Sequence, residues 1–210
     1  MIVKKGTWNI VLAGLWNQAV FTPEWVGRRL FHNKEVEALI SIMPRMPLIY
    51  RNENVAIEVA PERLVVRPRR INDTCLLAAE GTAHEALRAL QDTPLMGVGV
   101  NFAFTESEPH RDLVALFDIA DRLSLTEEGW ETEERRLVRR LRHEGDVLNL
   151  TLAWNGRDMD VEFNYHTETA ENAVALASVT GRILELREAA LRVLEQTYAL
   201  RIELKDDDNG

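Results

Sequence analysis

Cysteine occurs once in the 210 residues, at Cys75, so the chain forms no disulfide within itself and offers no thiolate cluster to a metal. Lysine is nearly as scarce, because 21 of the 25 basic residues are arginine. No apolar run approaches the roughly 18 residues of a membrane-spanning helix. The start carries Lys4 and Lys5, but the following stretch to Val20 contains Asn17 and Gln18 and lacks a small-residue cleavage site, so no secretory signal is expected. Short catalytic strings are missing too: there is no His-Glu-x-x-His, no Walker A loop, no Gly-x-Ser-x-Gly elbow and no Ser-x-x-Lys. These absences lead to the expectation of a cytoplasmic protein with no metal, no cofactor and no membrane partner.

What is present suffices for a core. Hydrophobic residues make up 46% of the chain and charged ones 28%, which excludes disorder and collagen-like repeats. A chain of this length buries roughly 70% of its unfolded surface. The net charge of -9 is unevenly spread. Residues 106 to 134 hold ten acidic groups against two basic ones, and Arg135 to Arg142 then supply five arginines with no acid. The arginine bias fits codon usage in a GC-rich genome, or recognition of carboxylate or phosphate by forked hydrogen bonds.

Residues 1–106 read as β-α-β-β-α-β. Asn9 to Phe21 reads as a strand; Thr22-Pro23-Glu24 starts a helix that runs through Leu30 toward Ile40 and ends before Pro44 and Pro47. Val55 to Pro68 form a hairpin around Ala60-Pro61-Glu62-Arg63, with Val59 facing Leu64, Ile57 facing Val66 and Val55 facing Pro68. Asn72 or Asp73 caps a helix to about Leu90, and Pro94 to Thr105 is a strand. Gly97-Val-Gly-Val inside it lacks the third glycine of a phosphate loop, and reads as close backbone packing or a bulge.

An acidic connector spans residues 107–134, a β-β-β-α half residues 135–204 and an acidic tail residues 205–210. In the second half Asn155-Gly156 predicts a two-residue turn, setting Trp154 against Arg157, Leu152 against Met159, Leu150 against Val161 and Leu148 against Phe163. Arg135 to Glu144 fits a helix or a third strand, since Leu137, Val138 and Leu141 suit either period; the strand is favoured, with Gly145-Asp146 as the turn. One long helix follows from Thr169 or Glu171 to Tyr198. It has one apolar stripe through Leu176, Val179, Ile183 and Leu186, and a second through Leu184, Leu191, Leu194 and Tyr198. The second stripe meets the first half's helices or forms a subunit interface.

The fold class expected is therefore α+β, antiparallel sheets packed on helices, with a ferredoxin-like first half. Two groups of residues are candidates for chemistry. Arg67, Arg69, Arg70, Arg135, Arg136, Arg139, Arg140 and Arg142 would form a basic stripe able to contact phosphates if both segments lie in one sheet. His143, Asp146, Tyr165 and His166 would converge at one end of the second hairpin if Asp146 faces Tyr165.

Gly99-Val100-Asn101-Phe102, reached after a hairpin and a helix, resembles a strand of a sporadically distributed bacterial family of unknown function, which reads roughly Gly-(Leu/Val)-Arg-Tyr-Ile-Asn. Here Asn101 replaces the arginine, and Ala103-Phe104 replace the Ile-Asn end. Val161-Glu-Phe-Asn-Tyr, leading into a long helix, is similar to that family's second-half strand, with Asn164 where an aspartate is usual. The resemblance implies no activity, and no catalytic residue is carried over. The expected function is a non-catalytic accessory subunit of a bacterial multiprotein system. It would associate with itself or a protein partner through the long helix or a sheet edge. Nucleic-acid or phosphorylated-ligand binding and a hydrolase-type enzyme are the alternatives.

Overall fold

The computed structural model describes residues 1–4, 6–33, 35–39, 46–118, 127–143 and 146–202. In chain order its strands and helices are β1 (Ile2–Val3), β2 (Asn9–Gly14), α1 (Pro23–Arg29), β3 (Glu37–Leu39), β4 (Leu48–Arg51), β5 (Val55–Ala60), β6 (Arg63–Pro68), α2 (Asp73–Ala89), β7 (Leu95–Ser107) and α3 (Arg111–Val114). The second half adds β8 (Arg135–His143), β9 (Asp146–Trp154), β10 (Asp158–Glu168), α4 (Asn172–Val179) and α5 (Ile183–Tyr198). The fold is α+β. One ten-stranded antiparallel sheet runs β3-β4-β5-β6-β2-β7-β10-β9-β8, and β1 extends the β2 side of β7.

Strand alternation sorts the sheet into two faces. Ile10, Leu12, Ile57, Leu64, Val66, Val98, Val100, Phe102, Phe104, Leu150, Leu152, Val161 and Phe163 all point one way into a single buried cluster. Every described helix contributes to that cluster, through Val26, Leu76, Leu113, Val179 and Leu186 among others. Aromatic rings meet edge-on inside it, Trp8 against Phe102 at 4.9 Å and Phe104 against Phe163 at 6.0 Å. The Trp8 indole N–H donates to the Ala103 carbonyl, so this buried ring leaves no donor unpaired. No described helix is long and apolar enough to cross a membrane.

Local signals place most of the first half. The Thr22 hydroxyl accepts from the Trp25 N–H with Pro23 at the first helical position, and Asn72 caps α2 by accepting from the Cys75 N–H. The β5–β6 register matches the expected one pair for pair. Gly97 and Gly99 do mark close approach: a Cβ on Gly97 would lie 2.8 Å from the Thr167 carbonyl, and the β2–β7 register shifts between Ala13 and Gly14.

Four expectations are corrected. Helix α1 stops at Arg29 instead of running toward Ile40, because His32 and Asn33 take left-handed φ values of 51° and 62° and turn the chain into β3. The terminal helix is two helices, broken at Gly181, whose φ is +71°. Glu80 of α2 reaches across to the break and accepts from the Gly181 and Ile183 N–H groups at 3.0 and 2.8 Å, supplying the cap that α5 lacks in its own sequence. In the second hairpin Trp154 faces Met159, Leu152 Val161, Leu150 Phe163 and Leu148 Tyr165, a slip of two residues from the expected pairing. The Asn155 side chain accepts from both the Arg157 and Asp158 N–H groups, which widens the connection beyond two residues. Two residues is the strand period, so the slip leaves every side chain on its expected face. Finally, Asp146 belongs to β9 and faces His143, not Tyr165. Residues 144 and 145, Pro44, residues 119–126 of the acidic connector and the tail lie outside the described residues.

Packing at the two glycine types predicts opposite responses. Gly97→Ala drives a methyl into backbone and should cost about 1–3 kcal/mol. Gly81→Ala, in α2 with open space around its Cα, should add about 0.5–1 kcal/mol. Urea unfolding of the two variants beside the parent measures both; equal shifts would contradict the packing account.

Candidate functional site

The two arginine groups lie in one sheet but far apart: β6 and β8 are separated by β2, β7, β10 and β9. In the first group Arg67 pairs with Glu58 at 3.0 Å, Arg69 donates to the Asn52 carbonyl at 3.0 Å, and Arg70 is exposed. The second group divides between faces. Arg135, Leu137, Arg139 and Leu141 stand opposite Trp154, Leu152, Leu150 and Leu148, on the helix-covered face. There the Arg135 guanidinium sits 4.9 Å from the Trp154 ring centroid and Arg139 donates to the Tyr198 hydroxyl at 3.4 Å. Arg136, Val138, Arg140 and Arg142 stand opposite Ala153, Thr151, Asn149 and Val147, on the open face. Arg136 pairs with Glu134 at 3.0 Å, while Arg140 and Arg142 are exposed. The structure therefore brings together Arg136, Arg140 and Arg142, and leaves Arg67, Arg69 and Arg70 out of reach.

The open face carries a feature that sequence reading missed. Asn9, Asn101, Asn164 and Asn149 stand side by side on β2, β7, β10 and β9. Asn149 donates to Asn164 at 2.9 Å, Asn164 to Asn101 at 2.6 Å, Asn101 to Asn9 at 2.8 Å, and Asn9 to the Thr7 carbonyl at 2.8 Å. Four amides thus form one chain of hydrogen bonds directed across four strands. Arg140 continues the row on β8. Gly99 makes room for it, since a Cβ there would sit 2.9 Å from the Asn164 Nδ2. The four asparagines are scattered through the sequence, and only the corrected hairpin register sets Asn149 against Asn164.

The second candidate group comes together in part: Asp146, Tyr165 and His166 line one small cavity, and His143 is not among its lining residues. Tyr165 and His166 are consecutive in β10 and point to opposite faces. His166 lies over Gly97, its Cε1 3.3 Å from where a Cβ would stand. Tyr165 lies toward the core, and burial, reinforced by the Asp146 carboxylate and opposed by Arg192, pushes its hydroxyl up to about 12. Asp146 is held by Arg182, Oδ2 to Nη2 at 2.7 Å, and His143 faces it across the strand pair. The cavity beside them measures 10 Å³, about the room for one water. Among the described residues no group of three or more His, Cys, Asp or Glu side chains suits a metal ion.

A larger cleft of 640 Å³ lies at the other end of the sheet, lined by Glu35, Glu37, Arg51, Asn52, Glu53 and Arg69 among others. Two of its charges are spent on each other. Arg51 grips Glu37 with two N–H groups, and that hydrogen bond holds the Glu37 carboxyl below the usual range.

Of the helix residues considered as an interface, Leu194 and Tyr198 are buried in the chain's own core at 0% and 5% exposure. Leu184 and Leu191 are half-buried against the same cluster. What stays open is β8, an edge strand of nine residues with Val138 at 61% and Leu141 at 44% exposure. Compared with known proteins, the chain matches no family model and no curated sequence.

Two predictions follow from these contacts. Asn101→Ala removes both of that residue's amide bonds and should cost about 1–3 kcal/mol, more than Asn149→Ala, which removes the single bond at the end of the row, in denaturant unfolding. Tyr165 is raised above its unfolded value of about 10, so its burial stabilises the fold fully below that pH and the contribution is lost as pH rises through the folded value. Stability measured across that alkaline window should fall for the parent and fall less for Tyr165→Phe.

Proposed function

We propose that the protein is a non-catalytic interaction subunit that docks a protein partner along the β8 edge of its sheet. The observation carrying this reading is that edge: nine residues of regular strand whose outer side pairs with no described strand, with Val138 and Leu141 exposed on it. A strand edge presents a row of backbone donors and acceptors, and an added strand satisfies them while burying side chains on both faces. The terminal helices are weaker candidates, because their apolar stripes are used by the chain's own core.

The same reading takes residues 1–106 as a ferredoxin-like unit with β3–β4 inserted after its first helix. The order β5-β6-β2-β7, with α1 and α2 sharing one core, supports it. The second half would then extend that sheet through β7 and present β8 at its rim.

A photoreactive amino acid placed at Val138 in cells that make the protein tests the proposal. Discrete protein adducts at this position, and none at the exposed Met96 far from β8, are the expected result. Adducts removed by nuclease would favour the phosphate-binding alternative, and equal labelling at both positions would sink the edge as a docking site.

A further inference from the structure

Building on the edge-docking reading, we propose that the occupant of the β8 edge is an extended protein segment in which acidic residues alternate with apolar ones. The two faces of β8 dictate the alternation. A strand laid beside β8 faces Arg136, Val138, Arg140 and Arg142 on the open side, and Leu137 and Leu141 on the helix side. On the helix side Arg135 is stacked on Trp154 and Arg139 reaches Tyr198, so both are turned toward their own chain. On the open side Glu134 answers Arg136, whereas among the described residues Arg140 and Arg142 have no ion-pair partner. Carboxylates opposite these two, with apolar side chains extending the layer of Leu137 and Leu141, fit both faces at once.

A second copy of β8 does not fit. Two copies pairing antiparallel about a two-fold axis keep the same face up, so each residue meets one of its own face. Every such register overlapping five or more residues of β8 sets arginine directly opposite arginine. The pairs are Arg135 with Arg139, Arg136 with Arg140, Arg136 with Arg142, Arg140 with its own copy, or Arg140 with Arg142. Like charges directly opposite destabilise a strand pair. The arginines thus keep the edge from joining itself while leaving its backbone open to an acidic strand.

Synthetic peptides of nine residues, the length of β8, test the occupant: one alternating glutamate with valine and leucine, and one with lysine in place of glutamate. Binding is read by fluorescence anisotropy on the intact protein, and its location by hydrogen exchange of amides 135–143. The acidic peptide should bind and protect these amides, and the lysine peptide should not. Raising the salt, or changing Arg140→Glu and Arg142→Glu together, should weaken the acidic peptide on the order of tenfold. Both positions are exposed, and an unchanged circular dichroism spectrum of the double variant verifies its fold. Equal binding of the two peptides, or an acidic peptide indifferent to the double variant, overturns the proposal. So does an oligonucleotide that displaces the peptide from the same amides, or a dimer by light scattering whose 135–143 amides are already protected. Partner adducts at Val138 with no acidic-peptide binding would overturn the acidic occupant alone; absence of both would remove the docking reading as well.

Discussion

Strand β7 is hydrogen-bonded along both of its edges, and the rest of the sheet is arranged around that requirement. On one side it takes β2 and then β1, on the other the whole of β10. A strand in that position needs a bulky face toward the helices and a thin one away from them. Val98, Val100, Phe102 and Phe104 supply the first, and Gly97, Gly99, Asn101 and Ala103 the second. The glycines are there because the Asn164 and His166 side chains and the Thr167 carbonyl occupy the space a Cβ would need. The two halves of the chain thus share a single core, because the strand that closes the first half is also the one on which the second half is laid.

The asparagine row follows from the same strand. Asn101 and Asn164 stand directly opposite each other and share a hydrogen bond. The two amides form a neutral bond, and Asn9 and Asn149 lengthen it into a row across four strands. A neutral chain of this kind ties the strands together through hydrogen bonds alone. Charged pairs flank the row, Lys4 with Asp160 of β10 beside it and Arg67 with Glu58 toward one rim, and Arg140 and Arg142 stand at the other rim.

The arginines of β8 give the acidic protein a basic edge. The net charge of -9 describes the whole chain, whereas a neighbouring strand at β8 meets arginines at close range and the distant carboxylates through screened solvent. Such an edge resists pairing with its own copies and remains open to a segment of opposite charge, which is one way a folded domain can expose a long strand without aggregating.

Period and capping chemistry made much of this legible from the residues. The β5–β6 hairpin, the starts of α1 and α2, the strand at Arg135–His143 and the inward faces of β9 and β10 all follow from alternation, a proline-containing turn or a capping side chain acting within a few residues. What failed were features decided by a distant partner or by a side chain folding back on its own loop. Helix continuity at Gly181 gave way because a carboxylate from α2 caps the second helix, and the hairpin slipped by two residues because Asn155 folded back on its own loop. The slip removed the pairing of Asp146 with Tyr165, yet Asp146, Tyr165 and His166 still line one small cavity, from which His143 is missing. The sequence by itself determined which side chains are apolar, how they alternate and that the arginines fall on a strand. Only the tertiary structure decided that four dispersed asparagines meet, that one arginine group lines the rim and the other sits far across the sheet, and that β8 ends the sheet of described strands opposite β3. Those outcomes rest on which strands pair, and pairing is a relation between distant segments that no local pattern contains.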